Sequence, residues 1–186
     1  MDFDDLVIRL DFDDLVIRPA TPDDAPAVAH VYAPYVTSTA ISFEEEAPPP
    51  HEIAERISAS HVWLVAEIDT EVVGYAYAAR FHPRPAYRWS VEVSVYLADS
   101  ARGRGVGRRL LTSLLERLRA AGFANAFAGT TLPNDASVGL FESFGFVPIG
   151  VQRKVGYKLG AWHDVGWWQL RLQEPDDPPP SSSTRA

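Results

Sequence analysis

The chain has 186 residues, of which 46% are hydrophobic and 11% aromatic, and its formal net charge is −8. This length allows one globular domain with a buried core, and the acidic balance argues against nucleic acid as a partner. The lack of cysteine excludes disulfides, zinc–thiolate sites and a thiol nucleophile, and the five histidines are not closely paired, so we expect no metal site. No run of ~18 apolar residues occurs and the N-terminus is acidic, which predicts a cytoplasmic protein with no membrane partner.

The N-terminus contains a tandem repeat: residues 2–9 reappear, residue for residue, as 11–18. Because nothing further repeats, a solenoid is excluded. We predict that residues 1–10 are a duplicated segment without function, that the domain spans 11–173 and begins with a strand in the second copy, and that the proline- and serine-rich tail 174–186 is disordered.

Helix and strand patterns follow in chain order. Thr21 before a proline is typical of a helix start, and Pro34 is expected to end or kink that helix. A short helix with one apolar face is predicted over 51–60. Apolar runs separated by a polar dipeptide then predict a β-hairpin of strands 62–68 and 71–79.

The next strand, predicted over 89–97, alternates strictly between two faces. Its valines and Leu97 share one face, and the other carries Glu92, Ser94 and Tyr96. A carboxylate is costly to bury, and burial raises its pKa, which suits a general base. The alternative for Glu92 is an exposed edge position or an ion pair with Arg84 or Arg88.

A glycine-rich hexapeptide lies between this strand and a leucine-rich helix. Its residues are Arg102, Gly103, Arg104, Gly105, Val106 and Gly107. Glycines at alternate positions let the backbone bend and aim several N–H groups at one point, and the helix start adds its positive end. The pattern fits neither the Rossmann nor the Walker loop. We interpret 102–109, with four arginines, as a phosphate or pyrophosphate site; the alternative is a basic surface turn.

The remaining patterns complete an α/β domain with a mixed sheet. A strand is predicted over 124–130, and a helix capped by Asn134 or Asp135 runs to about Phe144. Two further strands are predicted over 146–155 and 164–172.

From about Val16 to Gln173 the chain resembles the GNAT superfamily of N-acetyltransferases, specifically the phosphinothricin and methionine sulfoximine acetyltransferase group. The hexapeptide is typical of the whole superfamily, whereas the Arg-Pro-Ala-Tyr and Trp-His-Asp-Val-Gly runs are more specific to the group. The matching segments are 63–67, 84–89, 91–96, 102–107, 132–137 and 162–166.

The resemblance implies a GNAT fold, a mixed and mostly antiparallel twisted sheet flanked by helices, in a homodimer. It implies transfer of the acetyl group of acetyl-CoA, without a metal, to the α-amine of a small amino-acid-like substrate. It assigns Glu92 as catalytic base and Phe43, Arg84 and Tyr87 to the substrate. Its cofactor-binding positions are Ser94, Val95, Tyr96, Arg102, Gly103, Arg104, Gly105, Val106, Gly107, Asn134 and Ser137.

One departure from the family pattern concerns proton transfer. Relatives carry histidine or tyrosine where this chain has Phe141, which neither accepts nor donates a proton. Two other functions therefore stay open: a protein or peptide N-acetyltransferase, and a non-catalytic coenzyme A-binding module. The tryptophans are interpreted as core or interface residues, with a pocket or dimer contact as the alternative for Trp162.

Overall fold

The computed structural model describes residues 14–174. The predictions for segment 1–10 and for the tail beyond Glu174 lie outside these residues. The helices and strands are, in chain order, β1 (Val16–Pro19), α1 (Ala25–Ser38), α2 (Pro50–Ala59), β2 (Val62–Ile68), β3 (Glu71–Arg80), β4 (Ser90–Leu97), α3 (Val106–Ala120), β5 (Asn125–Leu132), α4 (Asp135–Glu142), β6 (Val147–Lys158) and β7 (Ala161–Arg171).

The strands form one seven-stranded sheet in the order β1-β2-β3-β4-β5-β7-β6. Neighbouring strands are antiparallel except β4 and β5, which run parallel. The prediction of a mixed, mostly antiparallel sheet flanked by helices is confirmed. The single parallel pair lies in the middle of the sheet, where the chain crosses over through α3.

Helices cover both faces of the sheet, and each face has its own core. On one face α3 buries five leucines against β2, β3 and β4, and each such side chain stabilises the fold by about 1.5–3 kcal/mol. On the other face α1 and α2 pack over an aromatic cluster that includes Trp63 and Tyr75. No helix within residues 14–174 has the length and apolar character needed to cross a membrane.

The predicted hairpin of β2 and β3 is confirmed, and its turn residues Asp69 and Thr70 both have positive φ angles, of 52° and 67°. In contrast, α1 does not end at Pro34 but continues to Ser38. Tyr35 and Val36, beyond the proline, are buried against the sheet. Their packing outweighs the hydrogen bond that the proline cannot make.

Candidate active site

The two central strands of the sheet separate part-way along their length. β4 pairs with β5 at Ser90, Val91 and Glu92. Beyond Glu92, β4 continues beside β3, whereas β5 continues beside β7. The backbone edges that face each other across this gap are available to a ligand that pairs with a strand. The V-shaped opening is therefore the central feature of the site, and Glu92 lies at its vertex.

The glycine-rich loop leads from the end of β4 into α3. Gly103 and Gly105 have φ angles of 70° and 78°, in the left-handed region that glycine adopts without strain. Among the described residues, none lies within 4 Å of the position that a Cβ would take at either glycine. The first amides of α3 have no intrahelical acceptor, so the loop and helix end offer N–H donors and a positive dipole end to an anion.

A slot in the V-shaped opening brings five of the eleven predicted cofactor residues together. α4 closes one side of the slot, and the Asn134 side chain accepts a hydrogen bond of 3.1 Å from the Ser137 amide at the start of this helix. A Cβ at Gly107 would contact Val95 and Leu140, so the start of α3 lies beside the slot. The slot is lined by Ile41, Val93, Ser94, Val95, Tyr96, Gly129, Thr130, Thr131, Asn134, Ser137 and Phe141.

The arginines around the loop have distinct surroundings. Arg102 forms an ion pair of 3.0 Å with Asp99, and its guanidinium lies 5.2 Å from the ring centroid of Tyr35. Arg104 donates to the Ser100 carbonyl, and Arg108 donates to the Ser143 hydroxyl. Together they place a positive field around the loop of an otherwise acidic chain.

A second cavity, of about 280 Å³, meets the slot at the vertex. Ile41, Gly129 and Thr131 line both spaces, so the two spaces lie next to each other. Glu92 is the only charged residue in the lining of the second cavity, which is otherwise largely apolar. Its other lining residues are Phe43, Gln152, Val155, Val165 and Trp167. We call this space the acceptor cavity.

Glu92 is half-buried, and burial raises the pKa of its carboxyl, while the nearby His82 acts in the opposite direction. Within residues 14–174 no arginine or lysine forms an ion pair with it. Arg88, one of the partners considered from the sequence, lies instead over the Trp89 ring at 4.0 Å. The carboxyl is therefore neither an edge group nor half of a salt bridge.

The predicted substrate residues separate into two groups. Phe43 lines the acceptor cavity. Arg84 immediately precedes an exposed 3-10 turn over 85–87 and Tyr87 ends it, and neither residue contributes to the lining of this cavity in a single chain. Tyr87 packs instead against Phe81 and His82. The assignment of Arg84 and Tyr87 to the substrate stays a prediction.

Sequence reasoning missed the part of the acceptor cavity that comes from the last three strands. Trp167 had been interpreted as a core or interface residue, yet its indole N–H donates to the Gln152 side chain, 3.2 Å away, at the wall of the cavity. Trp162 is 59% exposed and belongs to neither core. The Trp-His-Asp-Val-Gly run could have indicated this part of the cavity wall, because it immediately precedes Trp167 on β7.

The described residues contain no group of three or more histidine, aspartate or glutamate side chains that could hold a metal ion.

Comparisons with known proteins place the chain in a family. The model of the acetyltransferase (GNAT) domain matches residues 17–167. A phosphinothricin N-acetyltransferase of Streptomyces viridochromogenes is 41% identical over 88% of this chain and 91% of its own length. An L-methionine sulfoximine/L-methionine sulfone acetyltransferase of Pseudomonas aeruginosa is 39% identical over 60% of this chain and 64% of its own length.

A solved structure agrees with these relatives. A GNAT superfamily phosphinothricin acetyltransferase from Sinorhizobium meliloti, in complex with acetyl-CoA, superposes with a TM-score of 0.86 at 32% identity, covering 91% of this chain and 95% of that one. The chain belongs to the GNAT family of acetyltransferases and is phosphinothricin acetyltransferase-like.

Proposed function

We propose that this chain transfers the acetyl group of acetyl-CoA to the α-amine of a small amino-acid-like substrate of the phosphinothricin or methionine sulfoximine type. The observation that carries the proposal is that the slot and the acceptor cavity share Ile41, Gly129 and Thr131 in their walls, and that Glu92 lines the acceptor cavity at the vertex. Two reactants held in these spaces would touch at the vertex, and such positioning alone removes much of the barrier to a two-substrate reaction.

The slot and its loop fit coenzyme A in both charge and backbone chemistry. The left-handed glycines Gly103 and Gly105 leave space for a pyrophosphate against the amides at the start of α3. Arg102 and Arg104 supply the positive field, and the free edge of β4 at 94–96 supplies backbone groups for the pantetheine amides. Asn134 and Ser137 line the same slot. Bound acetyl-CoA supplies a thioester carbonyl.

Glu92 is proposed as the general base. An α-ammonium group must lose a proton before its nitrogen can attack, and a carboxylate with a raised pKa accepts that proton directly or through one water. The nitrogen then attacks the thioester carbonyl and loses a second proton to water, so that the amide bond forms, the carbon–sulfur bond breaks and the sulfur leaves as a thiolate. Because Phe141 has no proton to give, we propose that water protonates this thiolate.

The shape of the acceptor cavity supports a small substrate. A volume of about 280 Å³, walled by Phe43, Val155, Val165 and Trp167, lies near the lower end of the range for small-molecule sites. These apolar walls suit the terminal methyl group of a compact amino-acid analogue. A protein N-terminus would need an open groove through which its following residues could leave.

A homodimer is proposed from the edge of the sheet. β6 is an edge strand of twelve residues, and several of its apolar side chains are about half exposed, namely Val147, Ile149, Val151, Val155 and Tyr157. A long apolar edge is rarely left to solvent in a monomeric protein. A second copy of the chain is the proposed partner.

The test is a thiol-release assay with acetyl-CoA and a panel of acceptors. The panel contains L-phosphinothricin, L-methionine sulfoximine, common L-amino acids and short peptides. We expect release of coenzyme A with the amino-acid analogues and none with the peptides. Turnover of peptides alone would replace the proposed substrate class. Tight acetyl-CoA binding without turnover of any amine would show a non-catalytic binding module.

A further inference from the structure

Lys158, the last residue of β6, is the only buried basic residue among those described. Its Nζ donates two hydrogen bonds of 2.6 Å, to the carbonyl oxygens of Val36 and Ser42. Burial lowers the pKa of Lys158, and Glu44 and Glu45 oppose that shift. A buried ammonium is costly unless it is well hydrogen-bonded, so this position calls for an explanation beyond core filling.

The two carbonyls belong to the end of α1 and to the loop 39–49 that follows it. This loop carries Ile41 and Phe43, the part of the acceptor cavity wall that comes from the helical side. On that side the loop is held by a hydrogen bond of 2.7 Å between the hydroxyls of Tyr32 and Ser42. Lys158 supplies a hydrogen bond between the loop and the sheet.

The Phe43 ring packs against Gly156, which is two residues before Lys158 on β6. A Cβ built on Gly156 would lie 2.2 Å from the nearest carbon of the Phe43 ring, so only glycine allows this approach. His163 pairs with Gly156 across the β6–β7 hairpin, and its ring centroid lies 6.3 Å from that of Phe43. His163 Nε2 also lies 3.0 Å from the Lys158 carbonyl oxygen. Gly156, Lys158 and His163 thus form one contact surface under the loop.

We propose that Gly156 and Lys158 act as a clamp that positions the Phe43 wall and thereby sets the size of the acceptor that the enzyme accepts. This inference rests on the proposed function and deepens it. Both are positioning residues, because they act through Phe43 and do not line the acceptor cavity themselves. Neither residue lines the slot proposed for acetyl-CoA, and Gly156 contacts the Phe43 ring, which lines the acceptor cavity only.

The kinetic test compares Gly156→Ala and Lys158→Met with the wild-type protein, using L-methionine sulfoximine as acceptor. We expect each variant to raise the acceptor KM by about tenfold, because the displaced ring no longer closes the cavity, and Gly156→Ala to leave the acetyl-CoA KM unchanged. Lys158→Arg keeps a cationic donor and should raise the acceptor KM less than Lys158→Met does. Added to Phe43→Ala, Gly156→Ala should have little further effect, because the ring it displaces is gone.

Gly150→Ala is the matched control, since it is on the same strand and no described atom lies within 4 Å of its added Cβ. Amide hydrogen exchange gives a readout that needs no turnover: Lys158→Met should speed exchange in residues 39–49, and Gly150→Ala should not. Unchanged exchange, or an acceptor KM for Gly156→Ala equal to that of the control, overturns the clamp. A wild-type protein that acetylates no amino acid overturns the proposed function, while exchange still decides the clamp.

Discussion

Glu92 combines two properties that its neighbours on β4 lack, because it is the last residue paired with β5 and it faces the acceptor cavity. Replacing it by glutamine keeps the shape but removes the proton acceptor. We expect Glu92→Gln to lower kcat by about 10²–10⁴-fold, the usual contribution of a general base, and to leave the Kd of acetyl-CoA unchanged. Thiol release and calorimetric titration measure the two quantities separately.

The same residue predicts the acid side of the pH profile. Burial raises the pKa of Glu92, so its carboxyl holds a proton to higher pH than an exposed glutamate does. Activity should therefore fall as the pH drops through this raised pKa, and the fall should be absent from the residual activity of Glu92→Gln. Glu71→Gln, an exposed residue on β3, serves as control. If the residual activity of Glu92→Gln still fell at low pH, that fall would belong to the titration of another group.

The alternation of β4 made Glu92 a candidate base beside an edge or ion-paired alternative, because a strand's period of two depends only on neighbouring residues, and the family resemblance then assigned the role. The residues that surround Glu92 could not be identified from such local patterns. Gln152, Val165 and Trp167 reach the cavity from β6 and β7, more than 50 positions along the chain, and only tertiary packing brings them to Glu92. Local patterns therefore identified the proposed base, but not the walls of the acceptor cavity.

At the scale of elements, the junction between β4 and α3 depends on backbone conformation. Gly105 precedes α3 with a φ angle of 78°, a conformation that costs alanine about 1–2 kcal/mol. Since a Cβ there meets open space among the described residues, Gly105→Ala should disturb conformation rather than packing. We expect the Kd of acetyl-CoA to rise by about 5–30-fold, with the acceptor KM unchanged.

Gly139→Ala provides the matched control for this element. Gly139 lies inside α4 without a positive φ angle, and its added Cβ also meets open space among the described residues. Alanine favours a helix interior over glycine, so this variant should be slightly more stable and bind acetyl-CoA normally. Equal binding by Gly105→Ala and Gly139→Ala would show that the left-handed turn does not shape the anion site.

The helices and strands were largely predictable because their periodic patterns are local, and the loop was predictable because left-handed turns favour glycine. The gap between β4 and β5 could not be predicted from these local patterns. Nothing within either strand shows that β4 leaves its partner after Glu92, because the separation depends on how β3 and β7 pair on the outer sides. Pro34 is a second case, since buried residues beyond it keep α1 helical.

For the whole molecule, the two edges of the sheet differ in what they expose. β1 at one edge has only four residues, whereas β6 at the other edge has twelve and carries most of the exposed apolar side chains proposed to form the dimer contact. Short edges resist association, and long apolar ones promote it. The asymmetry also bears on the site, because Gln152 and Val155 of β6 line the acceptor cavity. A partner that covers β6 would lie next to the acceptor.

The wild-type chain should therefore sediment at twice the 20.5 kDa mass of one copy. Replacing Ile149 and Val151 together by lysine places two like charges on each copy of a self-complementary surface. This double variant should therefore sediment as a monomer. Val16→Lys, on the opposite edge and similarly exposed, should leave the mass unchanged. A monomeric wild type, or a double variant that still sediments at twice the mass, would remove β6 as the contact. A monomeric wild type would also mean that the acceptor cavity is complete within one chain.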